Sequence, residues 1–397
     1  MALSLDRIEV VDANGTTSET RVVLEDRKIK SIGADAPPQG DVIDGNGFIA
    51  LPGFIDIHTH GGGGFELHTS EPEQIRSYAD WAASTGVTSF LIAAVGTPGR
   101  IPDVEIETAV KAIESSPPGA RPLGIHLEGP YINPARRGAH PTDWLRSPSP
   151  DETEQVLDLA QGHLRVVTLA PELPGALEMI RRLVNAGVTV SLGHTDATFQ
   201  QALDGFAAGA SQLTHCFNAM PPLLHRAPGP LGALVEIDRA MGELICDGVH
   251  VEPAAMKALV NMLGSHRVIA ITDALPAAGK QAGPFSFNGQ PAHVEGGVAR
   301  LADGTITGSV LTMDQALRNL IRYCGVSLSQ ASAMCSRNPA VACGVADHKG
   351  LLLPGYDADL VMLDRELKLV ATIRAGEVIY ATEGWHSRIL PTSRRNT

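Results

Sequence analysis

Positive charge is scarce in this chain. Only 31 Lys and Arg stand against 44 Asp and Glu, a formal net charge of −13. The overall field therefore repels polyanions, which argues against nucleic acid and anionic membrane surfaces as partners. An anionic small molecule would need a local cationic pocket. Aromatic residues are few as well, 4% beside 44% hydrophobic residues in all. The core must then be built from Ala, Leu, Val and Ile, as in α/β proteins rather than β-sandwiches. No run of ~18 apolar residues occurs, so no membrane-spanning helix is expected. The opening MALSLDRIEVVD carries an early acid and no apolar stretch of signal length. The five cysteines (Cys216, Cys246, Cys324, Cys335, Cys343) include no C-x-x-C pair. Their odd number suits a reducing compartment, and a cytoplasmic location is the expectation.

A chain of 397 residues has room for one large α/β domain and a smaller companion. Residues 1–50 and 350–385 read as short β-rich pieces, with Asn14-Gly15 as a hairpin-type pair, and should pack together as a small β-sandwich. Between them, 51–349 alternates strands with helices. Eight strands are expected, at 53–60, 87–93, 122–128, 165–171, 188–194, 210–216, 242–248 and 267–273, which makes a (β/α)8 TIM-like barrel. Helix starts are signalled by Ser70 with Glu73, by Ser149-Pro150 with Glu152, and by Thr198. The stretch 281–309 reads as an inserted β-hairpin after the eighth strand, before helices near 311–324 and 328–342.

Five of the apolar runs stop at a residue that can bind or polarise at a metal: PGFIDIHTHG at His58 and His60, GIHLEGP at Glu128, VSLGHTD at His194, QLTHCFNAM at His215 and VIAITDAL at Asp273. Alternation along a strand points His58 and His60 the same way. Barrel enzymes carry their sites at the C-terminal ends of the strands, so all of these groups should meet at one mouth. Imidazoles with a carboxylate suit a borderline divalent ion, Zn²⁺ first, with Fe, Co or Mn also accommodated. Asp273 is the candidate proton acceptor and donor. Cys216 adjoins His215 and should face away, and His126, one level below Glu128, should be a core histidine. Gly61–Gly64 lacks the Lys and Ser/Thr of a phosphate loop and reads as a flexible turn.

These runs, with HLEGPYINPARRGAHP (126–141), GHTDAT (193–198), THCFNAMPPLLHR (214–226), CDGVHV (246–251) and TGSVLTMDQALRNL (307–320), resemble the amidohydrolase superfamily, and within it the N-acetylglucosamine-6-phosphate deacetylases. The resemblance implies metal-dependent removal of the acetyl group of a 6-phosphorylated amino sugar. It implies Glu128, His194 and His215 as main ligands, with His58, His60 and Asp273 available to a second ion, since members of this family differ in whether the first-strand histidines are present. It further implies that Asp273 is the acid/base, that His140 contacts the acetyl carbonyl, and that Asn218 and Ala219 bind the sugar. His250 and Arg226 are implied for the phosphate, with Arg226 reaching into the neighbouring subunit of a homodimer. The expected fourth strand, LRVVTLAPE, has no lysine to be carboxylated, against hydantoinase-, urease- and dihydroorotase-like readings. Two alternatives stay open: an epimeric substrate such as N-acetylgalactosamine 6-phosphate, and a nucleobase deaminase, which would have no use for Arg226 and His250.

Overall fold

The computed structural model describes residues 2–280 and 282–389. The strand–helix alternation becomes a parallel barrel. Its strands are β1 Phe54–Asp56, β2 Val87–Ala94, β3 Arg121–Glu128, β4 Leu164–Leu169, β5 Thr189–Leu192, β6 Gln212–Leu213, β7 Met241–Ile245 and β8 Val268–Ile271. Each pairs in parallel with its sequence neighbour from β1 to β8. Helices lie between them: α1 Pro72–Ala83, α2 Asp103–Ser115, α3 Pro150–Ala160, α4 Ala176–Asn185, α5 Phe199–Ala208, α6 Gly229–Glu236 and α7 Pro253–Leu263. Both faces of each strand are thus covered, and every residue of β2, VTSFLIAA, is buried, as expected where helices shield a parallel sheet.

No backbone ladder joins β8 to β1 among the described residues. The seam closes instead through the segments just past the two strands. Thr272 Oγ1 donates to Asp56 Oδ2 at 2.6 Å, Asp273 N to His58 O at 2.8 Å, and His60 N to Ala274 O at 2.8 Å. Burial lifts the Asp56 carboxyl to about 6, against the pull of its hydrogen bonds from Thr272.

Strands from the two chain ends form one branched eight-stranded sheet. Ala2–Asp12 takes Asp41–Asp44 alongside its first half and Ile49–Pro52 alongside its second, and Ile49–Pro52 pairs antiparallel with Leu360–Leu363. The two branches enclose a separate apolar core around Leu5, Ile8, Val22, Leu360 and Ile373. The first hairpin turns at Ala13-Asn14, since Asp12 is paired with Gly15, one residue earlier than the Asn14-Gly15 signal suggested.

Helix starts follow their caps in two of three cases. Ser149 Oγ accepts from Glu152 N, and Thr198 makes a full capping box with Gln201. The box expected from Ser70 and Glu73 does not form. Glu71 precedes α1 without a side-chain cap, because Pro72, its φ already helical, sets the start. The Gly61–Gly64 turn is not loose either. Gly61 and Gly62 pair with Glu66 and Phe65, and a Cβ on Gly62 would fall 2.0 Å from Trp81 Cζ3. The expected hairpin after β8 is a three-stranded antiparallel sheet, Gly283–Phe287, Gln290–Glu295 and Val298–Leu301. Its inner face packs on Ala139, Leu275 and Ala277, so it clamps the loops that carry His140 and Asp273.

Lys349 ties the barrel's final helical segment to the small sheet. Its ammonium lies 2.5 Å from Asp359 and 2.9 Å from Asp357, with Lys and Asp359 side chains only 9% and 8% exposed. Removing one partner of a buried pair leaves uncompensated charge, so Lys349→Met should destabilise the protein by about 3 kcal/mol at pH 7. Burial opposes ionisation of Asp357, but the Lys349 charge outweighs it and holds the carboxyl below its ordinary value. Its stabilisation is present above the unfolded value and lost as pH falls through the folded one. The deficit of the variant should therefore be full at pH 7 and shrink toward pH 3, which urea titration at the two pH values will read.

Candidate metal centre

Strand ends place the centre with a regular offset. Glu128 is the last residue of β3, whereas His58, His194, His215 and Asp273 each lie two residues past the final residue of β1, β5, β6 and β8. Three of them turn inward by adopting left-handed backbone, with φ of 47° at His194, 26° at His215 and 47° at Asp273. Such conformations cost roughly 1–3 kcal/mol each outside glycine and persist where the surroundings dictate them.

Five imidazoles converge on the Glu128 carboxylate. Oε1 lies 3.2 Å from His58 Nε2, 3.1 Å from His194 Nε2 and 3.3 Å from His215 Nε2, and Oε2 lies 3.3 Å from His60 Nε2 and 3.4 Å from His140 Nε2. Asp273 Oδ1 is 3.2 Å from His60 Nε2 and 3.7 Å from His58 Nε2. His194 and His215 bring their Nε2 atoms to 3.0 Å of each other. All of these residues are buried.

The residues fit a divalent metal on three counts. Metal–ligand bonds of 2.0–2.2 Å put the ligand atoms of a tetrahedral site about 3.3–3.6 Å apart, close to the spacings around Glu128. The outer nitrogens are fixed by partners that leave Nε2 free to ligate: His58 Nδ1 is 2.9 Å from Glu243 Oε2 and His194 Nδ1 is 2.8 Å from the Arg136 carbonyl oxygen. Finally, His58 Nε2 is buried without a hydrogen bond among the described residues, an orphaned polar atom that a cation would satisfy. Three compact groups of potential ligands occur among the described residues: His58 with His60 and Asp273, His58 with His126 and Glu243, and Glu128 with His140 and His194.

The electrostatics are mutual. Burial alone would raise Glu128, but the His58 charge and hydrogen bonds from His140, His194 and His215 hold it well below the usual carboxylate range. Burial opposes charge on His58 and His60 too, and is outweighed. Glu128 and Glu243 hold His58 well above its ordinary value, and hydrogen bonds with Asp273 and Glu128 raise His60 to about 9. Asp273 is buried, yet its bond with His60 and the His58 charge bring it down to about 2.

A cavity of about 160 Å³ opens above Glu128, lined by His140, Asn218, Ala219, His250, Phe287 and Thr307 among others. Burial disfavours the charged form of His250, but Asp247 at 2.7 Å from Nδ1 prevails and raises it. Burial lowers His140, although Glu128 pulls the other way. Of the expected site residues, His58 lies beneath the cavity against Glu128, and Arg226 is not brought to it. That arginine is exposed, in a loop with exposed Leu223 and Leu224. His126 is a core residue, bonded to the Ile57 carbonyl oxygen and to Thr168 Oγ1, and Cys216 is buried behind His215, its sulfur close to where a Cβ on Gly242 would stand.

Sequence reading missed Glu243. It is fully buried in β7, accepts also from His215 N at 3.3 Å, and leaves Oε1 without a hydrogen bond. A lone acid inside the apolar MGELI run was the available signal.

A parallel barrel with a small sheet from both chain ends, and with histidines and carboxylates gathered at the strand ends, defines a metal-dependent hydrolase. Residues 49–381 match the amidohydrolase family model, and the chain belongs to that family. Its relatives narrow the place within it. An N-acetylglucosamine-6-phosphate deacetylase of Lysinibacillus sphaericus is 35% identical over 379 residues, 95% of this chain and 98% of the relative. An N-acetylgalactosamine-6-phosphate deacetylase of Escherichia coli O157:H7 is 40% identical over 336 residues, 85% of this chain and 89% of the relative. Among solved structures, a mutant N-acetyl-D-glucosamine-6-phosphate deacetylase from Mycobacterium smegmatis, in complex with N-acetyl-D-glucosamine-6-phosphate, superposes with a TM-score of 0.90 at 36% identity, covering 96% of this chain and 99% of that one. The chain groups with the N-acetylglucosamine-6-phosphate deacetylases of the amidohydrolase family.

Proposed function

We propose that this protein hydrolyses the acetamide of N-acetyl-D-glucosamine 6-phosphate to acetate and D-glucosamine 6-phosphate. The observation that carries the reading is the Glu128 carboxylate ringed by five imidazoles beside Asp273, at the floor of a cavity that also holds His140 and His250. Glu128, His194 and His215 would hold a divalent ion, zinc first, with His58, His60 and Asp273 available to a second. When bound, such an ion lowers the pKa of water from 15.7 to about 7 and so supplies hydroxide at neutral pH.

The remaining roles belong to side chains. Asp273, ionised at neutral pH, takes the water's proton at its carboxylate and passes it to the amide nitrogen as the C–N bond breaks. His140 lines the cavity with its Nε2 3.4 Å from Glu128 Oε2, a place from which its N–H can meet the acetyl oxygen as charge builds there. Asn218 and Ala219 hold the sugar. His250, whose proton Asp247 helps to hold, meets the phosphate together with Arg226 from a second copy, so that the working form is a homodimer. The unpaired, buried thiols fit a cytoplasmic setting.

The 40% identity to an N-acetylgalactosamine-6-phosphate deacetylase favours the C4 epimer as a second reading. Acetate release should be followed from both 6-phosphorylated epimers and from unphosphorylated N-acetylglucosamine, with metal-loaded protein. Turnover of the gluco epimer with silence on the unphosphorylated sugar is expected. Faster turnover of the galacto epimer would move the assignment to it. Silence on all three with metal bound would refute deacetylation.

A further inference from the structure

We propose that the cleft between the base of the barrel and the small sheet is a second anion site, built for a phosphate group on a small molecule. The cleft has a volume of about 400 Å³, larger than the cavity over Glu128. Arg121 opens β3 and Arg165 lies near the start of β4, whereas Arg27 comes from a turn of the small sheet and Arg374 ends its strand Leu369–Arg374. Glu128 ends the strand that Arg121 begins. At about 3.3 Å per residue the two sites are roughly 20 Å apart, at opposite ends of the barrel.

Four arginines gathered in a chain of charge −13 call for a reason, and none of the four pairs with a carboxylate among the described residues. Their partners are neutral. Arg165 Nε donates to the Leu123 carbonyl oxygen at 3.4 Å, Arg374 Nη1 to that of Pro117 at 3.2 Å, and Arg121 to Ser116 Oγ. Those bonds aim the guanidinium groups without neutralising them. The two carboxylates in the wall, Asp357 and Asp359, are already taken by Lys349 and, for Asp357, by Lys28 as well. Arg374 Nε is buried and has no hydrogen-bond partner among the described residues. Burial weakens the Arg374 proton's hold; the Asp359 charge opposes that loss, and the nearby charges of Arg121 and Arg27 add to it, like charges crowded together. A doubly charged, multiply accepting anion relieves that crowding, and planar arginine forks match phosphate oxygens better than a single carboxylate. Inorganic phosphate and phosphate monoesters share this chemistry.

The test is equilibrium dialysis of radiolabelled inorganic phosphate against the metal-loaded wild type and Arg121→Gln/Arg165→Gln. Whatever the metal-end cavity binds, the double variant should hold one phosphate fewer per chain and keep its acetate-release rate. Phosphate should also raise the melting temperature of the wild type more than that of the variant, because the site joins two sheets. If the double variant does not fold, Arg165→Gln alone should weaken that one binding event at least tenfold. Repeating the dialysis with glucosamine 6-phosphate separates the sources, with tighter binding marking a sugar phosphate as the occupant. Equal stoichiometry in wild type and variant overturns the proposal. Because binding is measured and not turnover, that outcome leaves the deacetylase reading untouched.

Discussion

Asp273→Asn is expected to leave a folded, metal-binding protein with about 10⁴-fold less acetate release. General acid–base catalysis contributes typically 10²–10⁴-fold, and Asp273 is proposed for both proton transfers, so the upper end applies. Asparagine keeps the size of the side chain and tolerates the left-handed backbone at this position, which separates chemistry from folding. His58 and His60 lose one anionic neighbour at 3.7 and 3.2 Å but retain Glu128. Single-turnover acetate release, with metal content and circular dichroism measured on the same sample, reads the effect. A loss of tenfold or less would place the proton acceptor elsewhere.

Glu128→Gln should strip the centre of metal. The carboxylate faces five Nε2 atoms within 3.4 Å, and a neutral amide supplies neither the charge nor two equivalent acceptors. Loss of an outer-shell partner costs typically 10–100-fold in metal affinity, so loss of this central ligand should exceed that range. Metal content after dialysis against a weak chelator is the measurement. Stoichiometric metal in the variant would remove Glu128 from the coordination sphere. Wild-type metal uptake should also weaken on acidification, because His58 and His60 hold protons unusually well and protons compete for the same lone pairs.

The site was legible where residue type and strand end coincide. His58, Glu128, His194, His215 and Asp273 each follow an apolar run, and the barrel puts all such ends at one mouth. Their offset past the ladder was not legible, because the backbone turns left-handed at residues that are not glycine. Glu243 escaped because its position within β7 looks like one polar break in a buried strand, and only the fold shows that His58 stands over it. The capping box at Ser70 failed for a local reason, the proline two residues on. Arg226 was legible only by resemblance, and one chain alone gives it no neighbour to act on.

The unladdered seam between β1 and β8 has a consequence for opening. The amides of Asp273 and His60 are held by the very segments that bear the side chains proposed to bind metal, whereas Leu244 in β7 sits inside a continuous ladder. Fluctuations that part the seam need not melt the sheet. Solvent exchange at those two amides thus tracks how firmly the centre is knitted together, while exchange at Leu244 tracks the barrel as a whole. The joint that leaves the cylinder incomplete is also the place where its occupancy can be felt.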